Sequence, residues 1–189
     1  MTVSQFSPER VAARQEIEHR VHQFARAIDR LDFEGAREAF HDDAIDDHGA
    51  YRGDVDGLLA WVEKRHETLP FSTHGICNIY IEFAGDDDAF CESYILGWQS
   101  VTPSANLSSV EAQSPDEMIE MITNARYVDH FTRRNGSWRI QRRTVVFGSA
   151  MVVPVPASGK IGYGPDATYG VRDETDPAEA LRKELGLRS

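Results

Sequence analysis

Ile17, Val21, Phe24, Ile28 and Leu31 recur at spacings of 4, 3, 4 and 3. That rhythm predicts an amphipathic helix with one buried stripe. Ser7-Pro8-Glu9 supplies its start: a serine cap, a proline at the first helical position and an acid in the first turn. Asp29 falls beside the stripe, and periodicity leaves open whether it faces a cavity edge or water. A shorter helix is predicted over 33–40 (FEGAREAF), then an acidic loop, HDDAIDDHGAYRG (41–53), with a short strand around Ala44–Tyr51. Leu58 and Val62, flanked by Leu59 and Trp61, predict a third helix from Val55 to Leu69 that Pro70 ends.

Beyond residue 70 the period changes to strand alternation. A first strand at about 72–84 places His74, Ile76, Asn78, Tyr80 and Glu82 on one face and Cys77, Ile79, Ile81 and Phe83 on the other. Gly85-Asp86-Asp87-Asp88 turns into a second strand, about 89–101, with Tyr94, Leu96 and Trp98 on one side. Residues 102–117 are polar and turn-rich, a loop long enough to form a lid or rim. A third strand at about 119–134 reaches the hairpin signal Asn135-Gly136, and a fourth follows over 137–149. The chain thus divides into a folded domain, 1–149, and an extension, 150–189. Residues 151–170 hold three prolines and four glycines and read as an extended arm, with a short terminal helix at 176–187. Such an arm lies on its own domain or on a neighbouring subunit. Helices first and antiparallel strands afterwards predict an α+β fold, with helices packed on one side of a curved sheet around a conical pocket.

Charge narrows the partners. Lys and Arg number 20 against 31 Asp and Glu, a net of −11. A duplex binder needs a basic face, and the one locally basic run, RRNGSWRIQRR (133–143), is split between two faces by strand alternation. Nucleic acid and membrane are therefore not expected as partners. No leader-like or membrane-spanning stretch is visible. Cys77 and Cys91 form no C-x-x-C, so a reduced, cytoplasmic setting is the expectation. His19 and His22 share a helical face without a third ligand, and the acidic loop lacks the glycine and terminal glutamate of a calcium loop, so no metal is expected. Hydrolase, kinase and nicotinamide motifs do not occur.

Four stretches carry a resemblance: AIDRLDFEGAREAFHDDA (27–44), the Tyr51-x-Gly53 element, THGICNIYIE (73–82) and ARYVDHFTRRNGSWRIQRR (125–143). Together they resemble the SnoaL-like branch of the nuclear-transport-factor-2-like superfamily over roughly residues 10–149. The resemblance implies a cone of three helices packed into a strongly bent antiparallel sheet. It also implies chemistry without a cofactor, because scytalone dehydratase, bile-acid 7α-dehydratase and hexachlorocyclohexane dehydrochlorinase use an Asp–His dyad. Asp29 and His74 match those two positions. A carboxylate beside an imidazole holds one tautomer and offsets the cost of its charge. The chain departs from the bile-acid enzyme near its helical tyrosine, where Phe24 stands, and Ile28 stands just before Asp29. A phenolic acid would have to come from Tyr51 or Tyr94, with His48 as a further acid. The dehydrochlorinase arginine would be reproduced by Arg133 or Arg134, only one of which alternation lets face the cavity.

Those residues define an expected site: Asp29, His74, Tyr51, His48 and Arg133 for chemistry, with Phe24, Tyr94, Trp98, His130 and Phe131 lining a pocket for a hydrophobic ring. The expected function is a cofactor-independent lyase, a dehydratase or related β-elimination enzyme acting on a hydrophobic cyclic or aromatic molecule. An isomerase needs the same base. The same fold also serves as the non-catalytic β subunit of ring-hydroxylating dioxygenases and as a ligand-binding module. A homo-oligomer, dimer or trimer, is expected in either case, because an open cone leaves a sheet face to cover.

Overall fold

A computed structural model describes residues 4–102, 117–156, 164 and 166–187. The expected loop at 102–117 therefore lies almost wholly outside the described residues. Helix α1 (Pro8–Arg30) starts where Ser7 caps the Arg10 N–H and ends where Leu31 adopts a left-handed conformation, φ 59°. Ile17, Val21, Phe24 and Ile28 are buried as the stripe predicts, whereas Leu31 leaves the stripe to reverse the chain. That turn lets Asp32 cap the short α2 (Phe33–Arg37). The acidic segment is a strand, β1 (Phe40–Asp47), followed by β2 (Arg52–Asp54) and α3 (Val55–His66). Four longer strands complete the sheet: β3 (Phe71–Phe83), β4 (Asp88–Val101), β5 (Glu117–Arg134) and β6 (Ser137–Pro156). Asn135 and Gly136 both have positive φ, the conformation their turn requires.

The order is β2-β1-β6-β5-β4-β3, antiparallel except where β1 runs parallel to β6. Helix α1 packs across β3 and β6, and α3 packs on β1, so the α+β cone is realised. Strand β6 runs seven residues past the expected end. Its last stretch pairs with β5 as far as Glu117↔Pro156, while β1 covers it only between Ile140 and Thr144. Pro154 and Pro156 thus fall where one side of the strand is a free edge, the place a sheet tolerates proline.

Two bulges decide which side chains face inward. The β3–β4 register shifts between Ile76 and Ile79, so Ser72 and His74 before it and Ile81 after it all turn to the helices. Strict alternation had put His74 and Ile81 on opposite faces. A second shift on β6, between Ile140 and Arg142, turns Arg143 inward and leaves Arg142 exposed.

Arg143 consequently sits at the centre of the core, wholly buried. Its Nε and Nη2 donate to the two carboxylate oxygens of Asp129 at 2.8 and 2.7 Å. The guanidinium stacks 3.8 Å from the Tyr127 ring centroid and 4.5 Å from that of Phe24. Burial works against this charge, yet the Asp129 carboxylate outweighs it and holds the Arg143 pKa above its ordinary value. Removing one partner of such a pair strands the other charge in an apolar medium. Asp129→Ala is expected to lower stability by about 3–5 kcal/mol, read as a reduced urea midpoint. A midpoint equal to that of the parent would show that the buried pair does not hold the core.

Candidate active site

The last turn of α1 meets the start of β3 through Asp29. Its Oδ1 accepts the Nδ1–H of His74 at 2.7 Å and the Ser72 hydroxyl at 3.1 Å, and its Oδ2 accepts the His74 backbone N–H at 2.8 Å. The carboxylate is thus fixed by three donors from one strand. Because Nδ1 of His74 carries the proton it donates, Nε2 of a neutral ring bears the lone pair. Behind Ser72 the support continues: Gln99 donates to the Ser72 oxygen at 3.4 Å, and Arg65 donates to Gln99 at 3.0 Å. Both partners of the dyad are mostly buried, with side-chain exposures of 17% for His74 and 14% for Asp29. A cleft of about 270 Å³ opens beside them, bordered by His22, Arg26, Arg30, Thr73 and Ile76.

A second pair faces the core from β1. Asp46, 0% exposed, accepts a short hydrogen bond from Nδ1 of His48. The His48 ring lies 5.9 Å from Trp61 and 6.4 Å from Tyr127, centroid to centroid. Tyr127 is itself buried, and its hydroxyl makes no hydrogen bond among the described residues. Burial, reinforced by the carboxylates of Asp46, Asp129 and Asp29 against the opposing Arg143, pushes its pKa well up. The phenol therefore stays protonated and able to donate. Oδ2 of Asp46 and Nη1 of Arg143 are buried without a hydrogen-bond partner among the described residues. An unsatisfied buried polar atom costs about 1–3 kcal/mol, which a polar guest or water would relieve.

The expected residues divide cleanly. Phe24 and Phe131 are buried in the core, Phe24 packing edge-on to Phe40 and Tyr127, while Asp29, His74 and His48 are mostly buried, the first two bordering the cleft. Tyr51 stacks on Trp61, but its hydroxyl is spent on the Asp54 carbonyl at 2.8 Å. Tyr94 and Trp98 stand on the outer face of β4, where Ala89, Cys91, Ser93 and Ile95 take the inner one. His130 also points outward and bonds Asp88 at 2.8 Å, because its neighbours Asp129 and Phe131 occupy the inward phase. Arg133 is exposed, paired with Asp87 at 2.8 Å, and Arg134 pairs with Asp43. The inward phenol and arginine are instead Tyr127 and Arg143. The phase of Tyr127, Asp129 and Phe131 was a usable signal, since a buried Asp129 requires a cation opposite. Among the described residues no cluster of three metal-ligating side chains is found, and His19 and His22 are exposed.

A family model described as a SnoaL-like domain matches residues 9–144. No curated protein matches the sequence. Among solved structures, a scytalone dehydratase-like protein of Novosphingobium aromaticivorans is similar, with TM-score 0.63, 18% identity, and 82% of this chain and 97% of that one covered. A hexachlorocyclohexane dehydrochlorinase of Novosphingobium barchaimii gives 0.65, 17%, 83% and 97%. An aromatic-ring-hydroxylase-like protein of N. aromaticivorans gives 0.62, 17%, 77% and 94%. At these identities the likeness is one of fold.

Near the dyad, His66 is buried at the end of α3 and accepts the Arg172 guanidinium through Nδ1 at 2.8 Å. Burial first, then Arg172 and Arg65, push its pKa from 6.5 to about 3. The unfolded chain therefore takes up a proton near pH 6.5 that the folded chain refuses until about pH 3. Stability present above pH 6.5 drains as pH falls through that window, by an amount on the order of a few kcal/mol. His41, whose pKa burial also lowers, adds in the same direction. His66→Asn is expected to flatten the pH dependence of unfolding between about pH 5 and 6.5 by roughly one proton. Parallel slopes for parent and variant would show that His66 is not the neutral acceptor.

Proposed function

The chain belongs to the SnoaL-like family, and on that premise we propose that it is a cofactor-independent lyase acting on a hydrophobic cyclic molecule that carries an oxygen leaving group. One observation carries the reading: His74 Nδ1 sits 2.7 Å from Asp29 Oδ1, and that carboxylate is held by two further donors. An imidazole so fixed presents Nε2 as a general base. Nε2 would take a proton from a carbon beside a carbonyl or within an activated ring. The electron pair left behind forms the new double bond and expels the group on the neighbouring carbon. A departing hydroxide needs a proton to leave as water, and the neutral Tyr127 phenol or His48 would give it. Asp29 orients His74 and compensates its transient positive charge.

The substrate's polarity follows from the unpartnered atoms. Arg143 Nη1 offers a donor and Asp46 Oδ2 an acceptor, both buried. A hydroxyl group satisfies one of each, whereas a halide satisfies only the donor. Phe24, Phe40, Trp61 and Tyr127 supply apolar and aromatic surroundings for a ring. Dehydration is therefore favoured over dehydrohalogenation. An isomerase would use the same base and return the proton to the substrate.

The outer face supports assembly. Trp98, Ile122 and Met151 are aligned across β4, β5 and β6, with Leu96 nearby, and Leu96, Trp98 and Met151 are about half exposed. A second copy of the chain fits such a surface, and a homo-oligomer is our reading.

Two outcomes test this function. His74→Ala is expected to reduce kcat/KM for elimination from hydroxylated cyclic substrates by about 10²–10⁴-fold while the chain stays folded; undiminished turnover sinks the dyad. Leu96→Arg is expected to lower the mass in sedimentation, and a parent-like mass would place the interface elsewhere.

A further inference from the structure

Arg172, in the C-terminal segment, returns to the back of the dyad. Its Nε donates to the Asp29 carbonyl at 2.9 Å, Nη2 to the Ile28 carbonyl at 2.9 Å and Nη1 to the Leu69 carbonyl at 2.8 Å. Nη2 also reaches Nδ1 of His66 at 2.8 Å. Three pieces of chain meet on this one guanidinium: the last turn of α1, the end of α3 and the connection that leads into β3. The last carbonyls of a helix have no intrahelical partner, and a cation there also answers the negative end of the helix dipole. Asp29 contributes one of those carbonyls, and its side chain holds His74.

The segment that delivers Arg172 is itself fastened to α1. Arg30 donates to the Val171 carbonyl at 3.0 Å and to Asp176 at 3.3 Å, and Asp176 accepts the Val171 N–H at 3.1 Å. Asp176 also caps the terminal helix α4 (Pro177–Glu184), and Glu179 on that helix pairs with Arg26. Arg26, Arg30 and Asp29 lie within one turn of each other on α1. The arm therefore grips α1 through Arg26 and Arg30, which border the same cleft as the dyad.

We propose that Arg172 is the positioning residue of the Asp29–His74 pair, which makes the C-terminal segment part of the site. Its planar fork meets four acceptors fixed relative to one another, a task for which lysine has too few fixed directions. By locking the turn of α1 that carries Asp29 against the connection into β3, it sets where the carboxylate stands against the imidazole. The catalytic consequence rests on the elimination reading above, but the geometric claim does not.

The test uses the full-length chain and the NMR signal of the His74 Nδ1–H proton, which reports its hydrogen bond to Asp29. Arg172→Ala is expected to move that signal upfield and speed its exchange with water, with the remaining spectrum that of a folded protein. Arg172→Lys should fall between variant and parent. On a substrate, Arg172→Ala should lower kcat about tenfold or more with KM little changed, as misplacement of a catalytic group does. A parent-like Nδ1–H signal in folded Arg172→Ala overturns the proposal. Should that variant fail to fold, Arg172→Lys decides alone: a displaced signal supports the role, and an unmoved one overturns it. If His74 responds to Arg172 in a chain that eliminates nothing, the positioning role stands and the lyase reading falls. If the parent eliminates and His74 ignores Arg172, the reverse holds.

Discussion

The Asp29 carboxylate fastens the helical layer to the sheet at the mouth of the cone. It gathers the Ser72 hydroxyl, the His74 N–H and the His74 ring, all from β3. Hydrogen bonds to a charged group contribute about 1.5–3 kcal/mol each, so the end of α1 is pinned to that strand. The interaction that closes the fold here is therefore the one that orients the His74 imidazole. A helix that drifted along the sheet would lose both together. Such economy explains why the supports extend outward, through Gln99 and Arg65 on one side and Arg172 on the other.

The core beneath this fastening is unusual in its charge. Most of it is apolar, yet Asp129, Arg143 and Asp46 are all within 1% of full burial. A buried ion pair is weak evidence for stability, since hydrophobic residues of similar volume serve as well or better. Three aromatic rings cover the faces of Arg143, which recovers part of the desolvation cost through cation–π contact. What the pair adds is a polar feature at a defined place in an apolar cone.

Much of the fold could be read from hydrophobic period and turn residues: the stripe of α1 and the Asn135-Gly136 hairpin stand where they were expected, while α3 ends at His66, three residues short of the expected Leu69. The dyad positions were legible through the family resemblance, which matched Asp29 and His74 to two positions; periodicity alone left the direction of Asp29 open. The acid and cation were less accessible. Alternation assigns faces only while the register is unbroken, and single-residue bulges near Cys77 and Gln141 reverse the parity downstream. Arg143 was hidden for that reason beside its exposed neighbour Arg142. Tyr127 was passed over for a different one, because a strand tyrosine in phase with Ala125 and Phe131 reads as packing. Arg172 had no local signal at all. Its contacts come from chain more than 140 residues away from the α1 carbonyls it holds.

The fold divides its two surfaces by chemistry, and that division bears on function. The Tyr127 phenol and the Arg143 guanidinium are buried inside, while the outer face of β4 carries Tyr94, Leu96 and Trp98. A subunit whose cone served only as scaffold would need the outer surface and have no use for unpaired polar atoms within. The same superfold hosts both kinds of protein, so architecture alone cannot choose. The choice rests on the arrangement inside: Asp29 holds the Nδ1 side of His74, and burial with the surrounding carboxylates keeps the Tyr127 phenol protonated. On the elimination reading proposed above, the imidazole would take the proton from carbon and the phenol would give one to oxygen, so the two transfers would not compete for one group.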